Sequence, residues 1–307
     1  GTSDYKRPED VLRDADIAMY RAKAMGKARH EIFDPTQRTE IIELLTLENE
    51  LRRAIERQEL ELHYQPIYTL QNQHLAGFEA LLRWKHPEFG YIPPSRFIPL
   101  AEDTGLIIPI GKWVMETAIR QLTLWRIQSV GSQTIYVGVN VSSRQISHPG
   151  LVTELRDMLE QNHLPARHLV LEITESTLME NQEACITTLK DLRKVGVRLS
   201  IDDFGTGYSS LGYLQRFPID TIKIDRSFIS QIGITGHLTG IVRTILRLAS
   251  ELDLKVIAEG IENNLQLSLL RKMGCKYGQG YLLGRPQLAD EITDLFQRKT
   301  RPYHRDQ

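Results

Sequence analysis

The chain has 307 residues, 41% of them hydrophobic, and its 38 lysines and arginines nearly balance 39 aspartates and glutamates, giving a formal net charge of −1. The apolar fraction excludes disorder as the dominant state, and the near-zero charge argues against a nucleic-acid polymer as partner, since such partners select strongly basic surfaces. Two cysteines, Cys185 and Cys275, cannot form a disulfide framework, and no apolar run approaches the ~18 residues of a membrane span. We therefore expect a cytoplasmic chain with no membrane segment of its own, within a parent protein that can still be anchored.

The first forty residues have a different pattern from the rest of the chain. Apolar residues recur at helical spacing from Val11 to Met25, Gly26 follows where such a helix would end, and residues 29–33 predict a short strand. One helix and one strand cannot bury a core of their own. We interpret residues 1–38 as the final part of a preceding domain, followed by a charged connector helix over residues 39–58.

From about residue 60, short β-rich segments alternate with amphipathic helical segments. The predicted strands cover residues 61–68, 74–82, 135–141, 168–174, 197–202, 221–225, 255–259 and 278–282. The predicted helices cover residues 110–125, 151–162, 181–195, 236–252, 262–273 and 287–298. This alternation predicts an α/β fold, a modified TIM-type (β/α)₈ barrel. Because only about five residues link the first two strands, we expect the first strand to be antiparallel.

Polar side chains recur where the predicted strands end. Active sites of such barrels are built at the carboxyl ends of the strands, so polar residues there indicate chemistry. A single glutamate at such a position is usually a solvated loop residue or a helix cap, but seven strands contribute here. The residues are Glu79, Asn140, Glu172, Glu175, Asp202, Asp203, Lys223, Asp225, Glu259, Glu262 and Gln279.

Carboxylates crowded at one rim cannot all stay ionised without a compensating charge. An oxygen-only ligand set favours Mg²⁺ or Mn²⁺, because zinc prefers histidine and cysteine. The adjacent Asp202 and Asp203 suit two ions about 3.5–4 Å apart, the arrangement that stabilises the attacking and leaving oxygens of phosphodiester hydrolysis. Lys223 can orient or activate a water, and Gly205 and Gly207 permit a tight loop whose backbone approaches phosphate or metal.

The motifs around these residues resemble the EAL domain, the bacterial cyclic di-GMP phosphodiesterase. The signature EALLRW stands at residues 79–84. The resemblance covers about residues 43–298, with one further motif before the signature, YQPI at 64–67. The motifs after it are, in order, NVS at 140–142, EITE at 172–175, DDFG at 202–205, KID at 223–225, EGIE at 259–262 and QGY at 279–281. We therefore expect an EAL phosphodiesterase domain over residues 43–300, overlapping the connector helix.

The resemblance implies hydrolysis of cyclic di-GMP to linear pGpG by two divalent cations, Mg²⁺ or Mn²⁺. It implies that one cation is bound by Glu79, Asn140, Glu172 and Asp202, and the second by Asp202, Asp203 and Glu259. Lys223 is similar to the residue that positions the attacking water. The resemblance implies that the catalytic residues are Lys223, Glu259 and Glu79. The implied substrate contacts are Gln65, Arg83 and Asp203, and the implied supporting residues are Glu175, Glu262, Gln279, Gly205 and Gly207.

Two further expectations come from resemblance. Residues 15–23 are similar to the last helix of a GGDEF (diguanylate cyclase) domain, whose signature this chain lacks, so we expect no cyclase activity from it. In EAL domains the helix after the glycine-rich loop commonly mediates dimerisation, which makes residues 206–216 the expected homodimer surface.

Two other functions remain open at this point. EAL domains can bind cyclic di-GMP without cleaving it and act as receptors, but receptors typically lose some of the ligands that this chain keeps. Barrels with paired carboxylates can also be glycoside hydrolases. An adjacent diacid with asparagine and lysine fits that chemistry poorly, and a glycosidase would tolerate EDTA.

Overall fold

The structure is a computed structural model that describes residues 38–128, 135–180, 182–206, 214–234 and 236–293. The helix and strand predicted within residues 1–37 lie outside the described residues. Gly207 and most of the expected dimer surface, residues 207–213, also lie outside them.

Ten strands are present in the described part of the chain. They are β1 (Leu60–Thr69), β2 (Leu75–His86), β3 (Gly90–Ile92), β4 (Tyr136–Asn140), β5 (Leu169–Thr174), β6 (Arg198–Phe204), β7 (Thr221–Ile224), β8 (Lys255–Ala258), β9 (Tyr277–Gly278) and β10 (Gln287–Leu288). The helices are α1 (Arg38–Ala54), α2 (Pro94–Thr104), α3 (Ile107–Gln128), α4 (Ser143–Ile146), α5 (Leu151–Gln161), α6 (Glu175–Glu180), α7 (Gln182–Val195), α8 (Arg226–Ser230), α9 (Gly236–Glu251) and α10 (Asn264–Lys272). A 3₁₀ turn covers Ala166–His168.

Eight of the strands close a mixed barrel. Strands β2, β4, β5, β6, β7, β8 and β9 are parallel neighbours in that order. Strand β1 is antiparallel to β9, with Tyr68 opposite Gly278, and its pairing with β2 closes the ring. The remaining strands are additions, β3 on β2 and β10 on β1. The predicted TIM-type barrel with an antiparallel first strand is therefore confirmed.

The chain divides into two compact units, which are residues 1–60 with 84–107 and residues 61–83 with 108–307. In the first unit, Leu51 of α1 and Phe97 of α2 are buried. The buried Trp84 packs edge-on against Phe97, with ring centroids 5.6 Å apart, and its Nε1 donates to Glu59 at 3.0 Å. Each fully buried side chain of this size contributes about 1.5–3 kcal/mol through the hydrophobic effect, which accounts for the stability of the small unit.

The second unit holds the barrel, and its core is built from strand residues. Ile67 on β1 is fully buried, and so are Val139 and Leu171 on the neighbouring strands β4 and β5. The Trp125 ring of α3 packs edge-on against Tyr64 at 4.9 Å, and its indole nitrogen donates to Thr293 at 2.8 Å. The indole N–H therefore has a hydrogen-bond acceptor, while the ring itself packs against another aromatic ring.

The structure corrects several predicted boundaries. The connector helix ends at Ala54 rather than 58, because Gln58 has a left-handed backbone with φ 57°. The predicted strand 278–282 is only Tyr277–Gly278. The predicted helix 287–298 begins with two strand residues that pair with β1, and residues 289–293 follow as helix. Strand β3 and helix α2 were not predicted. Within the described residues, no helix is both long and apolar enough to span a membrane.

Candidate active site

The carboxyl ends of the parallel strands meet at one rim of the barrel, and the predicted polar residues lie there. Glu79 is in the middle of the long strand β2, yet it lies near the rim because β2 pairs with β4 only as far as Ala80 and Val139. Glu79 itself pairs with Gly138, one position earlier. Asn140 lies opposite Glu172 where β4 and β5 end their pairing. The rim opens into a cleft of about 290 Å³ whose lining includes Gln65, Glu79, Asp202, Asp203, Arg226, Glu259, Glu262, Gln279 and Tyr281.

Lys223 is the centre of the charge arrangement. It is fully buried on β7, and its Nζ lies 2.6 Å from Glu172 Oε2 and 2.8 Å from Glu259 Oε1. Glu79 Oε2 at 3.1 Å and Asp202 Oδ1 at 3.2 Å complete the shell around the same ammonium group. Four carboxyl groups, three from different strands and one from the residue after β8, therefore converge on one cation, so acidic groups outnumber basic ones around Lys223.

The pKa values at the rim follow from burial and from this crowding. Burial lowers the pKa of Lys223, but the surrounding carboxylates outweigh burial and hold that pKa well above its usual range. Burial raises the pKa of Glu172 well above its usual range and that of Glu259 to about 8, in both cases against the attraction of Lys223. Glu79 is different. Its burial is outweighed by Lys223 and by hydrogen bonds from Gln279 and Asn140, so its pKa is lowered.

The backbone of β6 brings two adjacent aspartates to the same site. Successive strand residues ordinarily point to opposite faces, so Asp202 and Asp203 would diverge in a regular strand. The pairing of β6 with β7 shifts register between Ile201 and Phe204, and Asp203 has a positive φ of 53°. The Asp203 amide donates to Asp202 Oδ1 at 3.0 Å, and this local irregularity holds both carboxylates at the rim.

The carboxylates form two groups that share one residue. Oxygens of Glu79, Glu172 and Asp202 lie within 4.8 Å of one another, and so do oxygens of Asp202, Asp203 and Glu259. Asn140 adjoins the first group, since its Nδ2 donates to Glu79 Oε1 at 2.9 Å. A cluster of hard oxygen donors of this kind could bind divalent metal ions.

Two observations test whether a cation fits the first group. Glu172 Oε1 is buried and accepts no hydrogen bond from the described residues, so it is an acceptor in need of a partner. Gly138 leaves the room that this oxygen occupies, because a Cβ at residue 138 would lie 2.1 Å from Glu172 Oε1. The unpartnered oxygen and the crowding of carboxyl groups around it both fit a bound cation.

The predicted supporting residues have specific contacts. Glu175, the first residue of α6, accepts a hydrogen bond from the Gly205 amide at 3.0 Å, which ties α6 to the start of the glycine-rich loop. Gln279 donates to Glu79 Oε2 at 2.5 Å and to Gln65 Oε1 at 3.3 Å. Gln65 in turn donates to the Gly284 carbonyl at 3.2 Å. Asp225 instead caps α8, since its Oδ1 accepts from the Ser227 amide at 2.9 Å.

Glu262 lines the same cleft as Asp202, Asp203 and Glu259, and both Glu262 and Arg83 make contacts with other groups. Glu262 is paired with Arg226 at 2.6 Å, and the Arg83 guanidinium donates to the Leu82 carbonyl at 2.9 Å. Arg226 and Tyr281 line the cleft but were not selected from the sequence. Arg226 directly follows the KID motif, so a cation immediately after a strand end was the signal that could have identified it.

The fold and the site together define a modified TIM-type barrel with an acidic, potentially metal-binding rim. The family model of the EAL domain matches residues 48–286, so the chain belongs to the EAL domain family. It is 44% identical over 283 residues to the "Bifunctional diguanylate cyclase/cyclic di-GMP phosphodiesterase MucR" of Pseudomonas aeruginosa, covering 92% of this chain and 41% of that protein. It is 39% identical over 279 residues to the "Cyclic di-GMP phosphodiesterase PdeR" of Escherichia coli, covering 91% of this chain and 42% of the relative.

A solved structure, described as the PaMucR phosphodiesterase in complex with c-di-GMP, is also similar. It has a TM-score of 0.77 at 46% identity and covers 80% of this chain and 99% of the solved one. The chain therefore spans nearly all of that solved domain but only about two fifths of the length of these two curated relatives.

Proposed function

We propose that this chain hydrolyses cyclic di-GMP to linear pGpG with the help of two divalent cations, Mg²⁺ or Mn²⁺. The observation that carries the proposal is that two clusters of three carboxylate residues share Asp202 next to the buried Lys223. Relatives whose names state cyclic di-GMP phosphodiesterase activity, and a similar structure in complex with c-di-GMP, support the substrate.

Each cation has a distinct set of proposed ligands. Glu79, Asn140, Glu172 and Asp202 would bind the first ion, and Asp202, Asp203 and Glu259 would bind the second. Bound divalent ions supply Lewis acidity and lower the pKa of coordinated water, which makes a strong nucleophile accessible near neutral pH. The buried unpartnered oxygen of Glu172 supports the first set, and the irregular backbone at Asp203 supports the second.

The protein's own groups would position the reactants. Lys223 stays charged because carboxylates surround it, and its ammonium would hold the attacking water in line with the phosphorus. Gln279 would orient Glu79 and water near the second ion, and Glu175 would fix the loop at Gly205. Gln65, Arg83 and Asp203 would contact the substrate, the guanidinium being suited to a phosphate oxygen or a guanine edge.

The other candidate function is a receptor that binds cyclic di-GMP without cleaving it. Every rim ligand implied by the family resemblance is present in the sequence, and the proximity of the carboxylate oxygens supports the enzyme over the receptor. We further propose that the chain acts in the cytoplasm as a homodimer through residues 206–216. Residues 1–38 would end a GGDEF-like domain of a longer parent, a proposal supported by the name of the bifunctional relative.

A product assay distinguishes the candidate functions. The chain is incubated with cyclic di-GMP and Mg²⁺ or Mn²⁺, and the nucleotides are separated by chromatography. We expect pGpG to accumulate with either ion and to be absent when EDTA is in excess. Binding of cyclic di-GMP without product at micromolar enzyme would identify a receptor. Cleavage that persists in EDTA would contradict the metal-dependent mechanism.

A further inference from the structure

The barrel has a second cavity at the rim opposite to the acidic site. Its volume is about 330 Å³. Residues at or near the amino ends of the parallel strands line it: Tyr136, Val170, Arg198, Thr221, Lys255, Ile257 and Tyr277. The end of β1, the turn after it and the start of β2 contribute Thr69, His74, Leu75 and Ala76. The size is within the range of cavities that hold small organic ligands.

The charge of this cavity is opposite to that of the acidic rim. Arg198 and Lys255 contribute two cations and His74 adds an imidazole, while no carboxylate is among the described lining residues. Neither cation has an ion-pair partner in the described part of the chain, whereas the neighbouring Arg193 is paired with Asp220. A concave site with unneutralised cations attracts anions.

Arg198 is held in place but has unused hydrogen-bonding capacity. Its guanidinium carbon stacks 4.7 Å from the centroid of the Tyr136 ring, which restricts its movement. Its Nε is buried and has no hydrogen-bond partner among the described residues. A buried N–H without an acceptor is costly, so an acceptor that reached this atom would stabilise the site. The planar guanidinium fits the two oxygens of a phosphate or a carboxylate.

The walls of the cavity indicate what else the ligand must contain. Leu75, Ala76 and Ile257 provide apolar surface among the lining residues. The volume exceeds that of an inorganic ion, so an apolar or aromatic body would fill the remainder. We propose that this cavity binds a small organic anion, whose phosphate or carboxylate group pairs with Arg198 and Lys255.

Isothermal titration calorimetry on the Mg²⁺-loaded chain tests the proposal with three matched probes. Phenyl phosphate and benzoate carry the two candidate anionic groups on the same ring, and benzyl alcohol is the neutral control. We expect at least one of the anions to bind with a Kd below about 10 mM and the alcohol to bind at least about tenfold more weakly. The stronger of the two anions identifies the preferred group.

Matched variants separate this cavity from any other anion site. Arg198→Gln and Lys255→Gln are each expected to weaken the binding of the anion by at least about tenfold. Arg156→Gln and Lys190→Gln remove exposed cations elsewhere on the surface and should leave the affinity unchanged. Because Lys255 is exposed, we expect Lys255→Gln to fold, and it therefore tests the site even if Arg198→Gln fails to fold. The proposal is overturned if neither anion binds, if benzyl alcohol binds equally well, or if Lys255→Gln retains wild-type affinity.

Discussion

At the scale of single residues, Lys223 determines the charge balance of the acidic rim. It is the one described cation that touches these four carboxyl groups, three on different strands and one on the residue after β8, and it is fully buried. Removing one partner of a buried ion pair leaves uncompensated charge and costs about 3–5 kcal/mol. The same ammonium group is proposed to position the attacking water, so stability and catalysis depend on one side chain.

Lys223→Met is therefore expected to lower turnover by at least about 100-fold and to lower the melting temperature of the metal-free chain. Added Mn²⁺ should recover part of the lost stability but not the turnover, because the ion neutralises carboxylates without replacing the ammonium group. Activity and thermal unfolding with and without Mn²⁺ measure both effects. Lys190→Met, at an exposed position of α7, is the control and should match the wild type. Wild-type turnover in Lys223→Met would refute the role of the lysine.

Gly138 is the residue that makes room for Glu172. Gly138→Ala would place a methyl carbon 2.1 Å from Glu172 Oε1, so the carboxylate must move from the first proposed metal group. We expect the affinity for Mn²⁺ to fall by about 10- to 100-fold, the usual effect of disturbing the surroundings of a metal ligand. Calorimetric titration of Mn²⁺ measures this directly.

Gly240→Ala is the matched control for that substitution. Gly240 lies within α9, and apart from the backbone of its own helix no atom of the described residues lies within 4 Å of the Cβ it would gain. The alanine should leave Mn²⁺ affinity unchanged and should stabilise the helix slightly. Equal Mn²⁺ affinity in the two variants would contradict the assignment of Glu172 as a ligand.

At the scale of elements, the irregular end of β6 and the start of α6 act together. The shifted register of β6 exposes both aspartates to the rim, and Glu175 of α6 holds the next loop through the Gly205 amide. The hydrogen bond from the Gly205 amide fixes the start of the loop, so the proposed contribution of Glu175 is to position that loop.

Glu175→Ala is expected to reduce turnover by about tenfold while Mn²⁺ affinity stays within about twofold of the wild type, because the substitution removes a loop contact and no metal ligand. Steady-state kinetics with a parallel Mn²⁺ titration separates these effects. Glu183→Ala, which removes an exposed glutamate paired with Arg216, is the control. If Glu175→Ala abolished metal binding, Glu175 would have to belong to the metal site itself.

The sequence predicted most elements of the barrel because its strands are apolar runs separated by amphipathic helices with period 3.6. It did not predict β3 and α2, since residues 87–99 contain Pro87, Pro93, Pro94 and Pro99, which suggest loop. Pro94 in fact occupies the first turn of α2, where proline is tolerated. The last barrel strand was predicted too long because Gly280 packs against the Ile261 backbone, a contact between distant residues that periodicity does not reveal.

For the site, strand-end reasoning selected the acidic residues that the fold brings together, because parallel strands place their carboxyl ends at one rim. It could not predict that Lys223 is buried among four carboxylates, nor that Glu262 pairs with Arg226. Those contacts depend on the closure of the barrel, which brings together residues that are distant in the sequence, such as Lys223 and Glu79 or Arg226 and Glu262.

At the scale of the whole molecule, the near-zero net charge conceals a separation of charge along the barrel. The rim at the carboxyl ends of the strands is acidic, and the cavity at their amino ends is lined by cations. A two-phosphate substrate can approach the acidic rim only after cations neutralise it. The balance of 38 basic and 39 acidic residues argues against a nucleic-acid polymer as partner, and it is compatible with a small cyclic dinucleotide.

The most direct test of this account is a crystal structure of the chain soaked with cyclic di-GMP and Ca²⁺, a hard ion that seeks oxygen ligands and binds such sites. We expect two ions, one on Glu79, Asn140, Glu172 and Asp202 and one on Asp202, Asp203 and Glu259, with a phosphate of the substrate next to both. Cyclic di-GMP bound at the rim without ions, or ions bound away from Asp202, would contradict the proposed two-metal mechanism.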